Sequence, residues 1–299
     1  MEDVLVIGAG PAGAACSLSL HQLGMKVLVL ERTRTPRDLL RRPAEADRWS
    51  SATPATAGKA LAARLHIQLC LSEVPHRLGF DALSIRSGGA QGGWVVGDAS
   101  STVRARYVVI ATGTRPRRGG FSDSACVGIG PGHSMERIPV RGRRVAILGG
   151  GDNAFDQATF ALGRGADSVD VYCRQLPRAQ PLLQLDVPAQ CVHIGPFEVD
   201  PARMSVNGSR YDVIGVQFGF EACVPAGLRL PLRDGRIDVD GRGEVPGFRG
   251  LFAAGEVANF WHPCVSSAFA QGDQVARAIR FDHLSAGLSA QASKVAAAA

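Results

Sequence analysis

Apolar positions fall into short runs, separated by glycine-rich turns and by stretches of helical spacing. Val4 to Ile7 is a continuous apolar run that ends in Gly8-Ala9-Gly10-Pro11-Ala12-Gly13. A helix-patterned stretch follows, then a second run, Val27 to Leu30, closed by Glu31. This order predicts strand, turn, helix and strand. From Ala57 the period changes: Leu61, Leu65 and Leu69 recur at helical spacing and predict a helix to Leu71. Short alternating runs come next, at Leu83-Ser84-Ile85, Trp94-Val95-Val96 and Val103 to Tyr107. Gly88-Gly89 and Gly92-Gly93 separate them, which predicts an antiparallel meander. Tyr107 to Ile110 predicts a buried strand running into Ala111-Thr112-Gly113. Residues 115–142, rich in glycine, proline and arginine, read as a linker.

The opening pattern then repeats. Val145 to Leu148 leads into Gly149-Gly150-Gly151-Asp152-Asn153-Ala154, with a helix expected from about Asn153 to Leu162. A strand, Val169 to Tyr172, ends at Cys173-Arg174-Gln175. Internal repetition of this kind predicts two dinucleotide folds in series. Near the C-terminus, Leu251 to Ala253 delivers Ala254-Gly255-Glu256 to a sheet edge. A helix is expected from Val265 to about Arg280, with the Ala/Ser-rich tail from Leu284 frayed.

The turns carry the chemistry. A lone GxGxxG is weak evidence. Here it follows a strand, opens a helix and has an acid at the end of the next strand, about 20 residues on. Gly8 allows the tight turn, Gly10 the approach of a pyrophosphate, and Gly13 close packing of the helix on the strand. The helix N-terminus offers unpaired N–H groups to phosphate. Glu31 suits ribose hydroxyls. In the second turn the strand ends in Arg174, which suits a 2′-phosphate.

Composition adds exclusions. With 45% hydrophobic residues the chain reads as a globular enzyme, and no stretch approaches the roughly 18 apolar residues of a membrane span. The net charge of +6 comes from scattered arginines without interleaved aromatics, which argues against nucleic acid. The start runs directly into a strand, so a cytoplasmic location is expected. The seven cysteines contain no CxxC, so neither a metal knuckle nor a dithiol pair is encoded locally, and no metal ligands are expected.

Gly8 to Gly13 with Glu31, Ala111-Thr112-Gly113, Gly149 to Ala154, and Ala253-Ala254-Gly255-Glu256 together resemble one family. It is the pyridine nucleotide-disulfide oxidoreductases, in their thioredoxin reductase-like branch. The resemblance implies an α/β fold of two Rossmann-like domains. An FAD domain would comprise residues 1–117 and 246–299, with an NAD(P)H domain at 118–245. It implies FAD held by Gly8, Gly10, Pro11, Ala12, Gly13, Glu31, Arg32, Ala111, Thr112, Gly113, Gly255, Glu256 and the helix starting at Val265. NADPH, or NADH, would be held by Gly149, Gly151, Asp152, Asn153, Ala154 and Arg174. A homodimer is implied as well.

Departures from the pattern shift the expected activity. The dithiol of thioredoxin reductases would fall on Gly132-His133-Ser134-Met135, where there is no thiol. The usual His-Arg-Arg is Cys173-Arg174-Gln175, and the usual Asp is Glu256. The segment from Gly149 to Gly255 looks short for a complete nicotinamide domain. His133, His262 and Cys264 are the candidate catalytic residues near the flavin. The expected function is transfer of hydride from nicotinamide through flavin to a small molecule or an external redox protein. The alternatives are a flavin-dependent monooxygenase or oxidase, and a flavin-binding protein with a vestigial nicotinamide site.

Overall fold

The computed structural model describes residues 2–34, 58–260 and 263–298. Residues 35–57, together with Trp261 and His262, lie outside these. Among the described residues the chain forms two compact units. The first runs to Thr114 and resumes at Ala222; the second spans Arg115–Glu221. The return thus comes at Ala222, not at 246. The physical reason is packing: Val224, Leu228, Leu230, Ile237 and Val245 all join a core of the first unit.

The first unit begins with β1 (Glu2–Ile7), α1 (Pro11–Gln22), β2 (Val27–Glu31), α2 (Gly58–Leu71), β3 (His76–Leu78), β4 (Ser84–Ser87), β5 (Trp94–Gly97) and β6 (Thr102–Ile110). The two runs expected around Tyr107 are therefore one continuous strand. Its first half pairs antiparallel with β5, and its second half runs parallel to β1. That strand joins the meander to the parallel sheet, in the order β3-β2-β1-β6-β5-β4.

The second unit contains β7 (Thr114–Pro116), β8 (Val127–Ile129), α3 (His133–Glu136), β9 (Arg144–Leu148), α4 (Asp152–Gly163), β10 (Ser168–Cys173), α5 (Pro181–Leu185) and β11 (Val192–Ile194). Three two-residue strands follow: β12 (Val199–Asp200), β13 (Ser205–Val206) and β14 (Ser209–Arg210). β15 (Val213–Val216) and β16 (Phe220–Ala222) complete it. The expected linker at 115–142 therefore holds a buried strand and a helical turn. A parallel sheet runs β11-β10-β9-β15-β8.

The first unit resumes with the hairpin β17 (Leu232–Arg233) and β18 (Arg236–Ile237), then β19 (Leu251–Ala253) and α6 (Val265–Ala298). β19 lies parallel to β6, pairing Leu251 with Val108 and Ala253 with Ile110. α6 continues well past Arg280, where fraying was expected. The alanine-rich tail has high intrinsic helix propensity, which accounts for the extension.

Candidate dinucleotide sites

Four parallel strands of the first unit, β1, β2, β6 and β19, end at one sheet edge. Their exits carry Gly8, Glu31, Ala111 and Ala254-Gly255. The carboxyl edge of such a sheet is where ligands bind. Gly8 has φ +103°, and a Cβ there would stand 2.4 Å from the Ala111 carbonyl oxygen. A Cβ on Gly13 would stand 1.9 Å from the Gly8 carbonyl oxygen. A Cβ on Gly10 would meet nothing within 4 Å, so the backbone there borders open space. Gly10 is the N-cap of α1 and makes no side-chain cap hydrogen bond. Pro11 opens the helix, and Ala12 is buried behind it. A bare helix N-terminus facing open space fits a pyrophosphate.

Glu31 is buried at the end of β2. One carboxylate oxygen accepts the Ala9 N–H at 2.9 Å; the other accepts the Thr33 N–H and hydroxyl, each at 2.9 Å. A carboxylate has about four acceptor positions, so capacity remains for a ribose hydroxyl. Arg32, beside it, is exposed. Thr112 donates to the Cys223 carbonyl at 2.6 Å, and Gly113 accepts the Cys223 N–H at 2.9 Å. This pairing clamps the strand exit from residues the sequence did not flag. Glu256 accepts the Thr114 hydroxyl at 2.7 Å, and the Gly255 N–H is held by Gln271 at 2.8 Å.

Cys264 precedes Val265 as the cap of α6. Its N–H donates to the Ser267 hydroxyl at 3.0 Å, and its sulfur accepts the Ser267 N–H at 3.5 Å. This is the reciprocal geometry of a capping box, a structural role for a residue expected to be catalytic. His133 opens α3, whose next residues are structural. Ser134 accepts the Ile129 N–H at 2.8 Å and donates to Asp123, while Met135 is fully buried. His262 lies outside the described residues.

The second unit repeats the arrangement. β9, β10, β15 and β8 are parallel, so Gly149, Arg174, Gln217 and Gly130 share one edge. A Cβ on Gly149 would stand 2.3 Å from the Gln217 carbonyl oxygen, whereas one on Gly151 would meet nothing within 4 Å. Gly151 caps α4 without a side-chain hydrogen bond. Asp152 accepts the Gln180 N–H at 2.8 Å, which ties the helix start to the following loop. Asn153 is half-buried and Ala154 fully buried. Cys173 donates to the Gly149 carbonyl at 3.3 Å, and burial pushes its thiol pKa up, so it is a neutral filler. The Arg174 guanidinium lies 5.3 Å from the Phe197 ring centre and 5.4 Å from that of Phe218. It is thus held as an oriented plane at the sheet edge.

Gln217 was not anticipated. Its side chain is buried, and its amide nitrogen finds no partner among the described residues. A buried amide left unpaired is costly, so an orphan beside a glycine turn fits a polar ligand. The signal in the sequence was faint: a four-residue apolar strand, Val213–Val216, with no motif around it.

Residues 2–184 match the family model described as pyridine nucleotide-disulphide oxidoreductase. A thioredoxin reductase of Mycolicibacterium smegmatis is 28% identical over 283 residues, covering 87% of this chain and 89% of that protein. A ferredoxin–NADP reductase of Gluconacetobacter diazotrophicus is 32% identical over 196 residues, covering 62% of this chain. That match spans 57% of the reductase's own length. Among solved structures, thioredoxin reductase of Lactococcus lactis aligns with a TM-score of 0.79 at 21% identity, covering 93% of this chain and 98% of that one. The fold is therefore that of a two-Rossmann-domain reductase. The alignment reaches across 98% of the Lactococcus lactis chain.

Proposed function

The chain belongs to the pyridine nucleotide-disulphide oxidoreductase family, a class of FAD- and NAD(P)H-using oxidoreductases, and we propose that its electrons leave to a small molecule or an external redox protein. The observation that carries this reading is the tetrad Gly132-His133-Ser134-Met135. It holds no thiol, its Met135 fills the core, and its Ser134 is bonded to Asp123 and Ile129. An internal disulfide relay needs a cysteine pair that the chain does not provide there.

The first unit would hold FAD. Gly10 leaves room for the pyrophosphate, α1 offers its N–H groups, and Glu31 accepts from the adenosine ribose. Gly255 and Glu256 complete the edge near the ribityl chain. The second unit would hold NADPH, with Gly151 and α4 at the pyrophosphate, Arg174 beside the 2′-phosphate and Gln217 donating its unpaired amide. When bound, the two cofactors supply hydride transfer and two-electron redox chemistry. Cys264 fixes the start of α6, whose positive end lies on the first unit and favours negative charge nearby. Among the described residues no helix is long and apolar enough to cross a membrane. Among the described residues Cys16, Cys70, Cys126, Cys173, Cys191 and Cys264 form no disulfide, which supports a reducing, cytoplasmic setting.

The test is anaerobic mixing of the purified yellow protein with NADPH and, separately, with NADH. Rapid loss of oxidised-flavin absorbance is expected, faster with NADPH. No loss with either nucleotide would leave a flavin-binding protein without reductase activity. Oxygen uptake coupled to a hydroxylated product would favour the monooxygenase. Thioredoxin should not be reduced.

A further inference from the structure

His66 and Cys70 lie one turn apart on α2, so both side chains leave the same helix face. The Cys70 sulfur is 3.5 Å from His66 Nε2. The helix then stops sharply. Glu73 takes φ 54°, its N–H bonds the Cys70 carbonyl, and the Val74 N–H bonds the Leu69 carbonyl, each at 3.0 Å. That pattern is a Schellman cap, with Val74 and Leu69 both buried. It returns the chain to the sheet edge at His76, the first residue of β3, in register with Val29. The His76 ring meets that of His66 edge-on, with centres 5.6 Å apart. His76 Nδ1 donates to the Val74 carbonyl at 2.9 Å, which leaves Nε2 as the acceptor nitrogen of a neutral ring.

We propose that His66, Cys70 and His76 form a three-ligand site for a divalent metal ion, with Zn²⁺ the best fit. The potential ligand atoms of the three all lie within 4.8 Å of one another. Zn–S and Zn–N bonds of about 2.3 and 2.0–2.1 Å place tetrahedral sulfur and nitrogen ligands roughly 3.6 Å apart. The Cys70–His66 pair already has that separation, and small adjustments of these two side chains toward His76 close the rest. Two imidazoles and a thiolate select a borderline ion over Mg²⁺ or Ca²⁺. The His76–Val74 hydrogen bond is the outer-shell contact that orients a ligating imidazole. Leu65 and Leu69 anchor α2 in the core, so the ligands stand on rigid elements. Cys70 is exposed, which leaves the fourth position open to water. On binding, the Cys70 thiol releases its proton to solvent and the sulfur takes up the ion. The ion would staple α2 to the edge strand β3. Cysteine-to-cysteine spacing could not show this site, because two of its three ligands are histidines.

The full-length, flavin-loaded protein, stripped of metal, is titrated with Co²⁺ and then with Zn²⁺. One equivalent of Co²⁺ should produce a thiolate charge-transfer band and intense tetrahedral d–d bands, both erased by Zn²⁺. Cys70→Ser should abolish the charge-transfer band, and His76→Ala should weaken binding on the order of 100-fold. Both side chains lie at the edge of the unit, so flavin absorbance and circular dichroism should match the parent and confirm that the variants fold. Zn²⁺ should raise the melting temperature of the parent and not of Cys70→Ser. Absence of the cobalt bands in the parent overturns the proposal, as does a band, or a Zn²⁺-dependent melting shift, that persists in Cys70→Ser.

Discussion

At Gly13 an added Cβ would stand 1.9 Å from the Gly8 carbonyl oxygen; at the matching place in the second turn, Ala154 carries that atom and is fully buried. The two turns agree elsewhere. Gly8 abuts the carbonyl of Ala111, and Gly149 that of Gln217, each the residue just after the neighbouring parallel strand. Gly10 and Gly151 both face open space. The two units therefore build the same glycine turn at the same place in the sheet. They differ in how closely the helix is drawn onto its strand, and in the charge at the next strand end. Glu31 is buried and triply bonded, whereas Arg174 is exposed and held between aromatic rings. On the proposed assignment, the shared features would serve what all dinucleotides have in common, and the divergent ones would set which dinucleotide is taken.

Replacing the tight residue should have the largest effect. Gly13→Ala drives a methyl group into backbone that cannot yield, and should cost about 3 kcal/mol or more, with loss of bound flavin. The reverse exchange in the second turn, Ala154→Gly, should cost only about 1 kcal/mol through helix propensity, with flavin retained. Denaturant unfolding measures both. Equal costs would show that the two helices sit equally close, against the geometry.

The open positions come next. Gly10→Ala and Gly151→Ala add a Cβ that touches nothing, so each should change unfolding free energy by less than about 1 kcal/mol. Each should still lose its own ligand. Gly10→Ala is expected to purify with little flavin. Gly151→Ala should stay yellow, with KM for the nicotinamide nucleotide raised at least about tenfold, equivalent to roughly 1.4 kcal/mol. If Gly151→Ala instead lost the flavin, the assignment of cofactors to units would be reversed.

Much of this was legible in the chain because the turn chemistry is local. Strand run, glycines, helix start and terminal charge lie within about 30 residues in each unit, and each carries its own signal. What was hidden depends on distant residues. The Cys223 backbone clamps Thr112 and Gly113, and Phe197 and Phe218 hold Arg174; no periodicity announces either contact. Gln217 follows a strand too short to stand out. Cys264, a candidate catalytic residue, also caps α6 through Ser267 three residues on, a contact its sequence neighbours did not announce. The linker reading of 115–142 failed because glycine and proline content outweighed the brief apolar run Val127–Ile129, which is a buried parallel strand.

Arg174 offers the finest test of the contrast between the two strand ends. Its cation–π contacts are worth about 0.5–1 kcal/mol each at an exposed site, enough to orient the guanidinium but not to stabilise the unit much. Arg174→Ala should therefore leave the melting temperature nearly unchanged. Its effect should fall on the 2′-phosphate, where a charge-assisted hydrogen bond contributes about 1.5–3 kcal/mol. KM for NADPH should rise roughly tenfold or more, while KM for NADH, which has no such phosphate, stays within about twofold. Arg174→Lys should recover only part of the preference, because an ammonium keeps the charge but loses the planar stacking on Phe197 and Phe218. Parallel losses for the two nucleotides would mean that Arg174 holds the loop and does not read the phosphate. The acid-versus-arginine contrast between the units would then carry no information about which nucleotide is bound.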